Sequence, residues 1–159
     1  MLKQKFKRFL SGRFWAGFTL IELMVVLVIL GLLAGLVGTK VIRYIAKAKI
    51  TTARAQISLL HDGVNQYKID TGEYPDNSVG LDALVQEPAG VTGWNLEGYL
   101  EGKNEVPKDP WGNDYYYDYP GERSTFDIYS YGADGKEGGE TEEDKDIYNS
   151  DTGGNVKEE

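Results

Sequence analysis

Three sets of residues in this sequence carry groups that could do chemistry. Glu22 lies in "GFTLIELMVV", near the start of an apolar run from Phe18 to about Gly38 in which it is the only charge. A charged side chain deep in a membrane helix costs about 2.5 to 3.5 kcal/mol on insertion scales, and residues tolerated there are usually functional and paired. The competing reading is that Glu22 snorkels to the cytoplasmic interface, where the cost is lower. The second set is the acidic stretch "YGADGKEGGETEEDKDIYNSD", where carboxylates converge on a glycine-rich loop. Oxygen ligands without nitrogen or sulfur suit a hard cation such as calcium. It is not an EF-hand, because the Asp spacing and the closing Glu are missing. As a plain charge run it reads as a solvated loop. The third set is His61, the one histidine of a chain without cysteine. Most nucleophile and base arrangements are therefore lacking, and the spacing of the 25 acidic residues singles out no catalytic pair. The chain does not read as an enzyme.

The elements that would position these groups begin with the apolar run. About 20 helical residues cross a hydrocarbon core, so the segment is just long enough to span it. Residues 1–17 hold five basic side chains and no acidic one, which predicts a cytoplasmic N-terminus and places everything after Lys40 across the membrane. A secretory signal peptide is the alternative, with "AGLVGTK" as a weak cleavage site, but it leaves Glu22 unexplained. Helix formers continue to about Asp70. Ile50, Ala53, Ile57, Leu60, Val64 and Tyr67 recur at spacings of three and four, which makes one apolar stripe on a continuous helix of about 50 residues. His61 falls on its exposed side. Gly31 and Gly35 form a GxxxG pair that allows close approach of helices in lipid.

The helix should stop at "DTGEYP", with Gly72 left-handed and Pro75 blocking continuation. A short helix is expected around Leu81 to Gln86, ended by Pro88. Alternation puts Tyr115, Tyr117 and Tyr119 on one face of a strand and Phe126 and Ile128 on one face of the next, with a hairpin turn at Pro120-Gly121. Trp111 reads as a plug holding the loop that enters the sheet; a carbohydrate-binding role for these aromatics is the alternative. The expected class is α+β, a small antiparallel sheet packed on the outer half of the long helix.

Composition sets the limits. With 159 residues there is room for one modest domain plus an anchor. The net charge of −8 is polarised: from Asp62 onward 24 acidic residues face seven basic ones. A short basic block followed by an anionic body does not suggest nucleic-acid binding; it suits a cytoplasmic membrane surface. Without cysteine, any stapling must come from packing or a metal.

These residues together resemble a known family. Gly17 followed by "FTLIELMVVLVILGLLAGL" is similar to the processing site and helix of the type IV pilin superfamily. "TGEYP", "GLDALVQEP", "PKDPWGNDYYY" and "GADG", in that order, resemble the major pseudopilins of type II secretion systems. The resemblance implies a type IV pilin-like fold, with a leader over residues 1–17 cut after Gly17 by a prepilin peptidase that methylates the new Phe18 N-terminus. It also implies a membrane and filament-core helix over 18–39, a periplasmic half over 40–71, and a globular domain over 72–159 with a calcium loop at about 131–147. Glu22 of one subunit would pair with the Phe18 amine of a neighbour. The backbone carbonyls of Tyr131 and Lys136 and the side chains of Asp134 and Asp146 would hold calcium, with Asp144 an additional candidate. Lys145 interrupts the adjacent aspartates common in the family, Thr39 stands where members usually have proline, and the leader exceeds the common short form.

The implied function is the major structural subunit of a periplasmic filament that drives export of folded proteins across the outer membrane. The implied partners are the chain itself, minor pseudopilins, the prepilin peptidase, the inner-membrane assembly platform with its ATPase, and the lipid bilayer before assembly. A type IV pilus-like pilin and a monomeric membrane-anchored calcium-binding domain are the alternatives.

Overall fold

The computed structural model of the chain describes residues 17–152, and for residues 36–40 the backbone alone. Apart from Gly17, the expected leader lies outside the described residues. One helix, α1, runs Leu20–Thr71, as the unbroken helix-forming sequence predicts. The chain divides into two units, Met1–Val41 and Ile42–Glu159, and α1 contributes to both.

In the first unit the described apolar side chains are exposed from Phe18 to Leu33, and Gly31 and Gly35 have open space where a side chain would be. Among the described residues no helix is long and apolar enough to cross a membrane. The described side chains of the apolar run stop at Gly35, so the run read as Phe18 to Gly38 is covered only in part.

In the second unit the predicted stripe is the core. Ala53, Ile57, Leu60, Val64 and Tyr67 are buried, and Ile50 packs at the edge. They meet Leu81, Leu84, Leu100, Tyr115, Phe126, Ile128 and Ile147. Gly63 lies inside this contact: a Cβ there would come within 3.3 Å of Leu84 Cδ1 and 3.4 Å of Tyr99 O. The helix tolerates glycine's unfavourable propensity at this point because the loop backbone packs directly against it. His61 is not on an exposed face. It stacks on Phe126 with ring centroids 5.0 Å apart, because the sheet wraps further around α1 than the apolar stripe alone indicates.

Helix α1 ends as expected, with Gly72 at φ +90° and its N–H bonded to Lys68 O at 2.8 Å. The short helix expected over Leu81 to Gln86 is instead a 3-10 turn over Gly80–Leu84. Val85 N bonds to Asp82 O at 3.0 Å, and the tighter winding buries Leu81, Ala83 and Leu84 together within five residues.

The sheet has three antiparallel strands, β1 (Tyr116–Asp118), β2 (Asp127–Ser130) and β3 (Ile147–Tyr148), in the order β1-β2-β3. Tyr117 pairs with Ile128, and Ser130 with Ile147. The predicted alternation holds at the core face: Tyr115 is buried, Tyr117 half-buried, Phe126 and Ile128 buried. Tyr119 lies at the rim, with its ring against Tyr74. On the other face the Tyr129 ring stacks on those of Tyr116 and Tyr148, Tyr131 lies tilted against Tyr116, and Arg123 lies 3.7 Å from the Tyr148 ring. Trp111 packs against the core at the entry to the sheet, as its place in the sequence suggests.

Two core tyrosines keep their hydroxyls bonded. Tyr115 donates to Gln56 Oε1 at 2.6 Å, and Tyr117 donates to Pro75 O at 3.1 Å. Burial raises the pKa of both hydroxyls well above its ordinary value, and for Tyr115 the nearby Asp109 charge adds to the shift. The unfolded chain therefore loses these protons first as pH rises. Stability should be level below pH about 10 and fall above it, by up to about 1.4 kcal/mol per pH unit for each tyrosine. Denaturant midpoints measured from pH 7 to 11 check this, and Tyr117→Phe should flatten the alkaline slope.

Candidate functional site

The amino-terminal site is built on the first turn of α1. Thr19 precedes the helix, and its Oγ1 accepts from Glu22 N at 3.2 Å while Glu22 Oε2 accepts from Thr19 N at 3.5 Å. This is a capping box: two N–H groups that the helix cannot satisfy are taken up reciprocally, and the carboxylate lies at the positive end of the helix dipole. "TLIE" is the sequence signature of that box, a local signal overshadowed by the apolar run around it. The box turns Glu22 back toward Thr19, one residue from Phe18, whose side chain is 75% exposed.

The second candidate site is the loop from Tyr131 to Asp146. Its two ends are drawn onto one turn of backbone. Asp134 Oδ1 accepts from Lys136 N at 3.1 Å, and both Asp146 oxygens accept from Gly138 N at 3.1 Å. The carboxylates of Asp134 and Asp146, twelve positions apart in sequence, thus converge on the segment 136–138. Asp144 is committed elsewhere, its Oδ2 accepting from Thr141 Oγ1 at 2.5 Å. Among the described residues no group of three or more His, Asp or Glu side chains is gathered as a metal site. A cation in this loop would take two carboxylates and complete its shell with main-chain oxygens. Such a donor set fits calcium, which accepts six to eight oxygens in flexible geometry.

Comparison with known proteins covers both sites. Residues 40–150 match the profile "Type II secretion system (T2SS), protein G", and residues 16–38 match the "Prokaryotic N-terminal methylation motif". Type II secretion system core protein G of Pseudomonas aeruginosa is 48% identical over 139 residues, 86% of this chain and 95% of the relative. The Vibrio cholerae protein of the same name is 44% identical over 78% of this chain and 84% of its own length. The crystal structure of the major pseudopilin from the type 2 secretion system of enterohaemorrhagic Escherichia coli superposes with a TM-score of 0.54 at 34% identity. It covers 65% of this chain and 87% of that one.

The chain belongs to the family of type II secretion system protein G, the major pseudopilins. It is a structural subunit and not an enzyme, and its fold is the pilin-like one that the sequence predicts. Its prepilin-type N-terminal motif is consistent with the inner membrane and periplasm.

In this pseudopilin the loop depends on residues that sequence reasoning missed. Asp109, in "DPWGN", is buried. Its Oδ1 accepts from Trp111 N at 3.0 Å and Asn113 N at 2.8 Å, and its Oδ2 accepts from Ser130 Oγ at 2.7 Å. Ser130 Oγ in turn accepts from Gly132 N at 3.1 Å, and Asn113 Nδ2 donates to Gly132 O at 3.0 Å. The motif around Trp111 is therefore a clasp on the base of the loop. A second hub is Asp127, which accepts from the N–H groups of Glu122, Arg123 and Ser124. Buried Asn149 accepts from Ile128 N at 3.1 Å and donates to Ser124 Oγ and Phe126 O. A short polar residue two to four positions before a glycine or serine is the one local signal for such hubs, and it is common in any loop. Asp109→Ala should cost about 3 kcal/mol, because two N–H groups and a hydroxyl lose a charged acceptor where water does not replace it. Chemical denaturation checks the value, and a loss below about 0.5 kcal/mol would contradict the assigned clasp.

Proposed function

We propose that this pseudopilin is cut after Gly17 by prepilin peptidase, methylated on the Phe18 amine, and polymerised through its helices into a periplasmic filament. Before assembly, residues 18–39 hold the subunit in the inner membrane as a single pass, with the N-terminus cytoplasmic and the C-terminal domain periplasmic. The observation that carries the reading is the position of Glu22. It is the only charge in an apolar run whose described side chains find no cover within the chain, and it lies within the segment that matches the methylation motif. Cleavage creates a positive amine on Phe18. The neighbouring subunit's Glu22 takes that amine as its partner, and two charges that are costly alone in lipid become one pair. An ATPase acting through the inner-membrane platform supplies the work, minor pseudopilins join the same filament, and filament growth moves folded proteins toward an outer-membrane channel.

In the globular domain, the backbone oxygens of Tyr131 and Lys136 with the carboxylates of Asp134 and Asp146 would hold calcium, with Asp144 as an additional ligand. The ion would close the loop in a chain that has no cysteine to staple it.

Two measurements test these statements. Mass spectrometry of the chain made with active prepilin peptidase should give a methylated protein beginning at Phe18, and without the peptidase one beginning at Met1; an intact Met1 terminus in both contradicts the reading. Thermal melts should show a midpoint several degrees lower in chelator than in excess calcium. Asp134→Ala should lose that difference, and calcium dependence unchanged in Asp134→Ala would remove Asp134 from the site.

A further inference from the structure

Beside α1 in the second unit lies an open groove of about 650 Å³ that the assembly reading does not use. Ile42, Ala46 and Ile50, four residues apart, form its apolar floor, and Arg43, Lys47 and Arg54 line the same side. The opposite wall is Thr141, Glu142 and Glu143, held in place by Ala133 N donating to Glu143 O and by the Lys145 ion pair to Glu142 at 2.5 Å. The ion pairs of the described residues are His61–Asp62, Lys108–Asp114 and Lys145–Glu142, so the three groove cations have no carboxylate within 4.0 Å, and Arg54 reaches Glu142 only as a longer-range charge. From residue 23 to residue 61 the sequence carries five basic residues and no acidic one.

The same domain presents a matching projection. Leu96 is 85% exposed, more than any other large apolar side chain among the described residues. It is held out by a well-bonded turn: Trp94 Nε1 donates to Ala83 O at 2.8 Å, Asn95 N to the Tyr99 hydroxyl at 3.1 Å, Glu97 N to Asn95 Oδ1 at 3.1 Å, and Gly98 N to Asn95 O at 2.7 Å. Glu97 follows directly, and Glu101 lies four residues on; both are exposed and unpaired among the described residues. Leu96 is thereby fixed at the tip of a bonded turn.

We propose that Leu96 and Glu97 of one subunit dock into this groove on a second copy of the chain, Leu96 on the Ile42, Ala46 and Ile50 floor and Glu97 among Arg43, Lys47 and Arg54. The inference rests on the polymer reading and deepens it. A projection cannot fill its own subunit's groove. The Leu96 turn packs beside Tyr67 and Asp70, whereas the groove centres on Ala46 to Ile50, about 20 residues or 30 Å further along the helix. Projection and groove are different surfaces of one chain, so the contact is heterologous and repeats without closing, as a filament requires. Opposite charge on the two surfaces fixes which copy lies above the other and disfavours like-on-like association.

The absence of native cysteine makes the test direct. The full-length chain carrying both Leu96→Cys and Ala46→Cys, made with active prepilin peptidase and its secretion machinery, is oxidised in the membrane fraction. A disulfide needs Cα atoms within about 7 Å, so a ladder of dimers, trimers and higher species supports the contact, provided that neither single variant climbs above a dimer. Sedimentable polymer at the unaltered chain's yield with no ladder overturns the docking and leaves the polymer reading standing. No polymer from the unaltered chain overturns both. An adduct of the L96C thiol with a different protein, in place of the ladder, also overturns the contact. In a parallel arm, Glu97→Lys should lower polymer yield about tenfold and Lys47→Glu in the same chain should restore it; a loss that the reversal does not repair counts against the charge assignment.

Discussion

The outer domain depends on burying one stripe of α1. Ala53, Ile57, Leu60, Val64 and Tyr67 have almost no exposed surface, and each large aliphatic side chain removed from water contributes about 1.5 to 3 kcal/mol. Strands of three, four and two residues could not hold a sheet together in water on their own. The helix supplies the apolar face that the sheet lacks, and the sheet supplies the cover that this part of the helix lacks. Gly63 sets how closely the loop carrying Tyr99 and Leu100 lies against the helix backbone.

So little strand leaves many loop N–H groups without a ladder partner, and side chains take over that work. Asp127 gathers three consecutive N–H groups, Asp109 gathers two with a hydroxyl, and Asn149 ties the turn before β2 to the turn after β3. Charged acceptors are suited to this because each bond to an ionised group is worth roughly twice a neutral one. The consequence for function is that the acidic loop inherits its position from the Asp109 clasp at its base.

What the sequence made legible follows from period and from breakers. The stripe on α1, the stop at Gly72 and Pro75, the hairpin at Pro120-Gly121 and the inward faces of β1 and β2 all repeat or interrupt a local pattern. The 3-10 turn at Gly80 and the two-residue strand β3 are too short to show a period. His61 was read from its place on the helix alone, and its contact with Phe126 spans 65 positions, a relation no helical wheel contains. The same limit hid Asp109 and Asn149, whose bonds join residues about 20 positions apart. The capping box at Thr19 and Glu22 is a different case. It is local and was readable, but the cost of a carboxylate in an apolar run drew the whole explanation to itself.

That box changes the energetics of assembly. In a lone subunit Glu22 is not without a partner, because it accepts from Thr19 N, so the gain on the proposed pairing would be the difference between that long bond at 3.5 Å and an ion pair with a neighbour's amine. A bond at the edge of hydrogen-bonding distance contributes little, and a charged amine in a low-dielectric surrounding contributes much more. The reciprocal bond from Glu22 N to Thr19 Oγ1 does not use the carboxylate and can persist after pairing. Thr19 would thus keep the helix start formed while the Glu22 side chain turned to the proposed partner. Assembly, on this account, replaces a weak contact within one chain by a strong one between two, without unwinding the turn that aims it.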